Sequence, residues 1–105
     1  VADDLPRVTQ ATLDVLEVLL DTRAQHYGLA IAKRTKMKTG SVFPILARLE
    51  NLGWVTSRWE SPADRPTGPR RRIYEVTTDG AARARTILRE RRPRLILRPA
   101  TGGAL

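Results

Sequence analysis

The stretch KMKTGSVFPILARLENLGW, Lys36 to Trp54, decides how the rest of the chain is read. Val42, Ile45, Leu46, Leu49 and Leu52 recur at i, i+3, i+4, i+7 and i+10, the spacing of one buried helix face. Gly53 follows as a C-capping glycine. Pro44 lies near the front of this helix. A proline deep in a helix costs ~3 kcal/mol, but the first turn tolerates it, because its missing N–H would be unpaired there anyway. Ser41 is the expected cap, which places Pro44 at the third helical position. A cap at Thr39 would place it at the fifth and leave Gly40 without a backbone partner. The outward positions are Gly40 or Ser41, Pro44, Ala47 or Arg48, and Asn51. Phe43 neighbours the apolar face without lying on it.

Upstream, Thr9 can cap a helix reaching Asp21, with Leu13, Leu16, Val18, Leu19 and Leu20 as a wide apolar face. RAQHYG breaks it, and a shorter helix covers about Tyr27 to Thr35, with Leu29, Ile31 and Ala32 as its expected buried side. Downstream the period becomes two. In WVTSRWE, Val55 and Trp59 can share a face, and in RRIYEV Tyr74 and Val76 can do the same. Between them SPADRPTGPR holds three prolines and a glycine, so the two strands form a hairpin with a long basic tip. Trp54 and Trp59 are both expected in the core. Thr77 or Thr78 can cap a last helix, and Asp79 in its first turn suits the helix dipole. Its apolar stripe is thin: Ala81, Ala84, Ile87 and Leu88. Pro93 should stop it near Arg92. Leu95-Ile96-Leu97 has no assigned place, and PATGGAL reads as disordered.

The 105 residues suffice for one domain, and the hydrophobic share of 41% is enough for a core. The expected organisation is an arm over 1–8, a winged helix-turn-helix over 9–77, a dimerisation helix over 78–98 and a tail over 99–105. The fold class is mainly α with a small β-hairpin: three helices, a two-stranded wing and a C-terminal helix. No apolar run reaches a membrane span, and the opening VADDLPRV has no signal-like stretch. The chain has no cysteine and a single histidine, His26, so no disulfide, thiolate or zinc chemistry is expected, and no cofactor or enzyme constellation is present. The expectation is a cytoplasmic, nucleoid-associated protein that is not an enzyme.

The net charge is +8. Residues 1–22 carry Asp3, Asp4, Asp14, Glu17 and Asp21 against Arg7 alone. Lys33, Arg34, Lys36 and Lys38 follow, then Arg58, Arg65, Arg70, Arg71 and Arg72, then seven arginines over 81–98 against Glu90. Clustered cations on a folded domain favour a polyanion. A helix-turn-helix sets its second helix in the major groove, with residues near its N-terminus on base edges. Here the candidates are Lys36, Lys38, Thr39, Gly40, Ser41, Phe43, Pro44 and Arg48, with Arg65, Arg70 and Arg71 of the wing on phosphate or in the minor groove. The outer helices carry opposite charge. The thin stripe of the last helix could therefore bury against a second copy, through Leu13, Leu16 and Leu20 with Ala84, Ile87 and Leu88. Such a homodimer would present two recognition helices to a palindromic site in double-stranded DNA.

The ordered pieces TLDVLEVLL, HYGLAIAK, TGSVFPILARLENLGWV, SRWE and GPRRRIYEVTTDG resemble PadR-type transcriptional regulators over about residues 12–90. The family pattern Gly-Thr-Leu-Tyr-Pro-Leu-Leu stands here as Gly40-Ser41-Val42-Phe43-Pro44-Ile45-Leu46, followed by Arg48-Leu49-Glu50 and Gly53. The resemblance implies a dimeric winged-helix DNA-binding protein, usually a repressor. It implies dimerisation through the last helix with help from the first, and DNA contacts at Ser41, Phe43, Pro44 and the wing. It also implies a response to small aromatic effectors. Phe43 replaces the family's tyrosine and so lacks its hydroxyl. The stretch after the wing is too short for the multi-helix effector domain of longer members. Two other uses of the same fold are a plasmid or phage architectural or partition protein, and a winged helix that binds an acidic protein.

Overall fold

The computed structural model describes residues 8–92. The expected arm before Val8, the stop at Pro93, the Leu95-Ile96-Leu97 run and the tail lie outside the described residues. Helix α1 (Gln10–Leu20) is capped as expected: the Thr9 hydroxyl accepts the Thr12 N–H at 3.2 Å. Thr12, Leu13, Val15, Leu16, Val18 and Leu19 are buried, so α1 packs on several elements at once and forms the middle of the core. Strand β1 (His26–Tyr27) leads into α2 (Gly28–Thr35). His26 is buried, and its Nε2 meets the Asp21 carbonyl, so the imidazole closes the α1–α2 link. Helix α2 buries Ile31 and Ala32, but Leu29, expected beside them, is 62% exposed. It ends at Lys36, whose φ of +59° is left-handed, with Met37 N–H on the Ala32 carbonyl.

Helix α3 (Thr39–Asn51) begins earlier than the expected serine cap allows. Lys38 is the N-cap, with no side-chain cap bond, and its carbonyl accepts Ser41 N–H at 2.9 Å and Val42 N–H at 3.1 Å. Ser41 is thus already helical, and Pro44 is the sixth helical residue, beyond the tolerated first turn. Val42, Ile45, Leu46 and Leu49 are buried as their spacing requires. Helix α3 ends in a Schellman turn: Gly53, at φ +79°, gives its N–H to Glu50, and Trp54 gives its own to Leu49.

Strands β2 (Val55–Trp59) and β3 (Arg72–Val76) pair antiparallel, Val55 with Val76 and Trp59 with Arg72. The expected two-stranded wing is in fact part of a three-stranded sheet, ordered β1-β3-β2, in which His26 and Tyr27 pair with Tyr74 and Ile73. Two residues are too few to show a period, so β1 left no trace in the sequence pattern. Trp54 is 1% exposed, but Trp59 is 59% exposed, contrary to the expected core role. The shared face of β2 leaves the helical core after Val55, and four residues of strand carry Trp59 ~13 Å beyond it.

The long tip is closed at its base. Glu60, 2% exposed, accepts the Arg71 backbone N–H at 2.9 Å and both arms of the Arg71 guanidinium, at 3.1 and 2.8 Å. The hydrogen-bonded guanidinium holds its carboxyl below the usual range. Asp64 accepts from Ser61 and Arg58, and Arg65 donates to the Pro69 carbonyl at 2.7 Å. Helix α4 (Thr78–Arg91) is capped by Thr77, whose hydroxyl accepts Gly80 N–H at 2.9 Å and also reaches the Gly53 carbonyl. Three helices, a wing and a fourth helix make the winged helix-turn-helix architecture.

Replacing Thr77 by Ala should lower stability by ~1 kcal/mol, the usual cost of a lost N-cap. Gly80→Ala should cost more. An added Cβ would meet the Trp54 carbonyl oxygen at 2.0 Å, and backbone cannot swing aside as a side chain can. Urea unfolding of both variants checks the order. For Glu60, the folded pKa lies below its ordinary 4.5, so the stabilisation is complete above that value and is lost as pH falls through the lower folded pKa. The Arg71 amide resonance should hold steady from pH 7 down through 4.5 and move only at lower pH. In Glu60→Gln that acid transition should be missing.

Candidate nucleic-acid interface

The inward stripe of α3 fixes which residues face out. Gly40, Ser41, Phe43, Pro44, Ala47, Arg48 and Asn51 are exposed, and Thr39 is half-buried. Small groups at Gly40, Ser41 and Ala47 surround the Pro44 ring, and Arg48 stands one turn further along. The turn before the helix adds Lys36 and Lys38, both exposed. Among the described residues Lys36, Lys38, Arg48 and Arg70 make no ion pair, so their charge is available to an outside anion. Pro44 cannot give the Gly40 carbonyl the i to i−4 bond that a sixth helical residue normally makes. A helix bearing that cost on an exposed face is shaped for something other than its own stability.

Phe43 lies on the flank of α3, 43% exposed. Its ring tip fills the space over Gly28, where an added Cβ would come within 2.2 Å of Cζ. Glycine at the head of α2 therefore sets where this ring lies.

The wing arginines divide. Arg70 is exposed. Arg71 is bound to Glu60 and stacks on the Tyr27 ring at 3.8 Å, and Arg65 is turned back to Pro69 and Glu60. These two, both expected to meet DNA, brace the loop from within. Arg72, outside the expected set, donates to Ser57 Oγ at 2.9 Å and lies 5.1 Å from the Trp59 ring. Leu29 and Trp59 were missed as surface residues. The distance along β2 was the available signal for Trp59; Leu29 carried none.

The expected dimer residues need correction. Leu13, Leu16, Ala84 and Leu88 are each 3% exposed or less, inside the chain's own core. Only Leu20 and Ile87 keep exposed area. The charge attraction foreseen between copies is met within one chain: Arg92, at the end of α4, donates to Asp14 at 2.7 Å, to Glu17 and to the Gln10 side chain. Asp21 is held by Arg23 and Arg34, and the hydrogen bond from Arg23 keeps its carboxyl well below the usual range. No cluster of three potential metal ligands occurs among the described residues, and no described helix is long and apolar enough to cross a membrane.

Comparison with known proteins bears on this surface. A family model described as the transcriptional regulator PadR-like family matches residues 15–86. A sequence search of curated proteins returned no match. Among solved structures, a variant of Lactococcus lactis ZitR superposes with a TM-score of 0.67 at 15% identity, over 97% of this chain. This chain spans 65% of that protein's length. A PadR family transcription regulator from Clostridium difficile R20291 gives 0.63 at 23% identity, over 85% of this chain and 96% of its own. Reduced AbfR bound to DNA gives 0.61 at 21% identity, over 78% of this chain and 55% of its own. At such identities the likeness is one of fold, the winged helix. The family match spans α3, the sheet and most of α4, and with it the chain belongs to the PadR-like family of transcriptional regulators.

Proposed function

We propose that the chain binds double-stranded DNA in a sequence-specific manner as a homodimeric transcriptional repressor. The front of α3 enters the major groove, and the wing lies on the backbone or in the minor groove. The observation that carries this reading is the outward face of α3: small groups around Pro44, bordered by Lys36, Lys38 and Arg48 without internal partners. The winged-helix body of residues 9–77 delivers this face, and α4 with its continuation joins the copies. Val8, Leu20 and Ile87 supply the apolar area left for that contact. Val8, Trp54 and Ile87 border a cleft of about 520 Å³ along α4. A palindromic operator follows from the two-fold symmetry of such a dimer.

Duplex binding should fall steeply with salt, with a slope of ~0.9 per neutralised phosphate. Arg48→Ala and Ser41→Ala should weaken binding to a selected operator more than to random duplex, each by roughly 10-fold. Arg70→Ala should weaken both alike and lower the slope by ~0.9. Filter binding over a salt series reads all three. An equal loss on every sequence from Ser41→Ala would remove base readout there, and weak, salt-insensitive binding by the wild type would remove the reading altogether.

Pro44→Ala separates the helix from its use. It restores an N–H to the Gly40 carbonyl, so stability should rise by roughly 1–3 kcal/mol. Operator affinity should fall about 10-fold with the lost ridge. Thermal unfolding and binding on the same sample check both directions.

A further inference from the structure

We infer that Trp59, Phe43 and Leu29 form an apolar seat for the deoxyribose rings of one DNA strand where it passes between α3 and the wing. The inference rests on the DNA-binding reading above and adds a contact that is neither phosphate nor base.

Among the described residues, the exposed large hydrophobics are Leu29 at 62%, Phe43 at 43% and Trp59 at 59%. Single exposed apolar residues mean little. These three come from α2, α3 and β2, yet they line one shallow cavity of about 280 Å³ with Tyr27, Arg71 and Arg72. A contiguous apolar patch marks an interaction surface. It is also held in shape. Arg72 lies over Trp59 and is tied to Ser57; Arg71 lies over Tyr27 and is tied to Glu60; the Phe43 ring sits in the Gly28 slot. Binding there orders few side chains, so little affinity is lost to entropy.

Charge and position choose the occupant. Arg71, paired with Glu60, and Arg72, 3.9 Å from Glu50, stand partly exposed at the rim, so the patch sets guanidinium N–H donors beside an apolar floor. A nucleic-acid strand alternates phosphate with sugar. At 100° per residue Phe43 stands on the flank of α3, between buried Val42 and outward Pro44. A helix lying in the major groove turns its tip to the bases and its flank to the groove wall. The wall is backbone, and its apolar part is the sugar.

A sugar contact releases no counterion and is the same at every nucleotide. Trp59→Ala should therefore weaken binding to operator and random duplex alike, by roughly 10-fold, and leave the salt slope unchanged. Leu29→Ala should act in the same way and more weakly. Both sites are exposed, so both variants should fold, and circular dichroism checks this. In the wild type Trp54 is buried and Trp59 exposed, so acrylamide quenching reads Trp59, and saturating duplex should protect it. If the wild type binds duplex while Trp59 stays equally quenchable and Trp59→Ala binds unchanged, the inference is overturned and the DNA reading stands. A loss confined to one sequence would make this a base contact, and a reduced slope would mean that Arg72 alone was displaced; either overturns it. A wild type that binds no duplex overturns both readings.

Discussion

The backbone at Trp54 is where the two halves of this fold are joined. Its N–H closes the Schellman turn of α3, and its carbonyl accepts the Thr77 N–H at 2.9 Å from across the sheet. The same carbonyl faces Gly80 so closely that only a glycine fits. Within one residue the end of α3, the start of β2, the end of β3 and the start of α4 are tied together. The indole of the same residue is buried, at 1% exposure. The relation of α3 to the wing is set at this point, and with it the shape of the face proposed to meet DNA. A winged helix reads a duplex with two separate elements, so their fixed relation matters as much as either one.

Around that joint, stability and surface are kept apart. The inward side of α3 is fully apolar and buried, and its outward side carries a proline at a costly position. The wing loop, which has no core of its own, is closed by the buried Glu60–Arg71 pair and by internal bonds of Asp64 and Arg65. Removing one partner of such a pair leaves the other charge stranded, so the pair specifies one loop shape more than it adds net stability. Of the cations without an ion pair among the described residues, Lys36, Lys38, Arg48 and Arg70 lie in the turn, on α3 or in the wing, and Lys33 of α2 and Arg85, Arg89 and Arg91 of α4 lie elsewhere. Asp14 and Glu17 of acidic α1 are met within the chain by Arg92, the cap of α4, and the apolar remainder around Ile87 stays available to any contact between copies.

Much of this was legible in the sequence, because local rules wrote it. The stripe from Val42 to Leu52, the caps at Thr9 and Thr77, and the turn at Gly53 all depend on neighbours within a few residues. The Ser41 cap failed for a physical reason. Local energy alone favours the start that spares Pro44, but the left-handed turn at Lys36 and the burial of Val42 fix the helix from both sides. Strand β1 exists only because β3 is there to pair with it. The role of Glu60 had no local signal, because its partner lies eleven residues away across the tip. Trp59 read as core because strand alternation gives the face of a residue and says nothing of where the core ends. In the interface, the positions on α3 were readable from their angle to the buried stripe. The roles of Arg65, Arg71 and Arg72 were not, because they depend on which carboxylates and rings the folded wing brings near them.

The central claim is that one face of this molecule, built from the front of α3 and the wing, is the face that meets DNA, and that α4 lies away from it. Amide chemical-shift mapping during titration with a short random duplex at low salt tests this most directly. The changes should centre on Lys38 to Arg48 and on the wing from Arg58 to Arg72, with the exposed side of α4 around Arg85 and Arg89 unmoved. Changes centred on α4, or spread evenly over every exposed arginine, would contradict it.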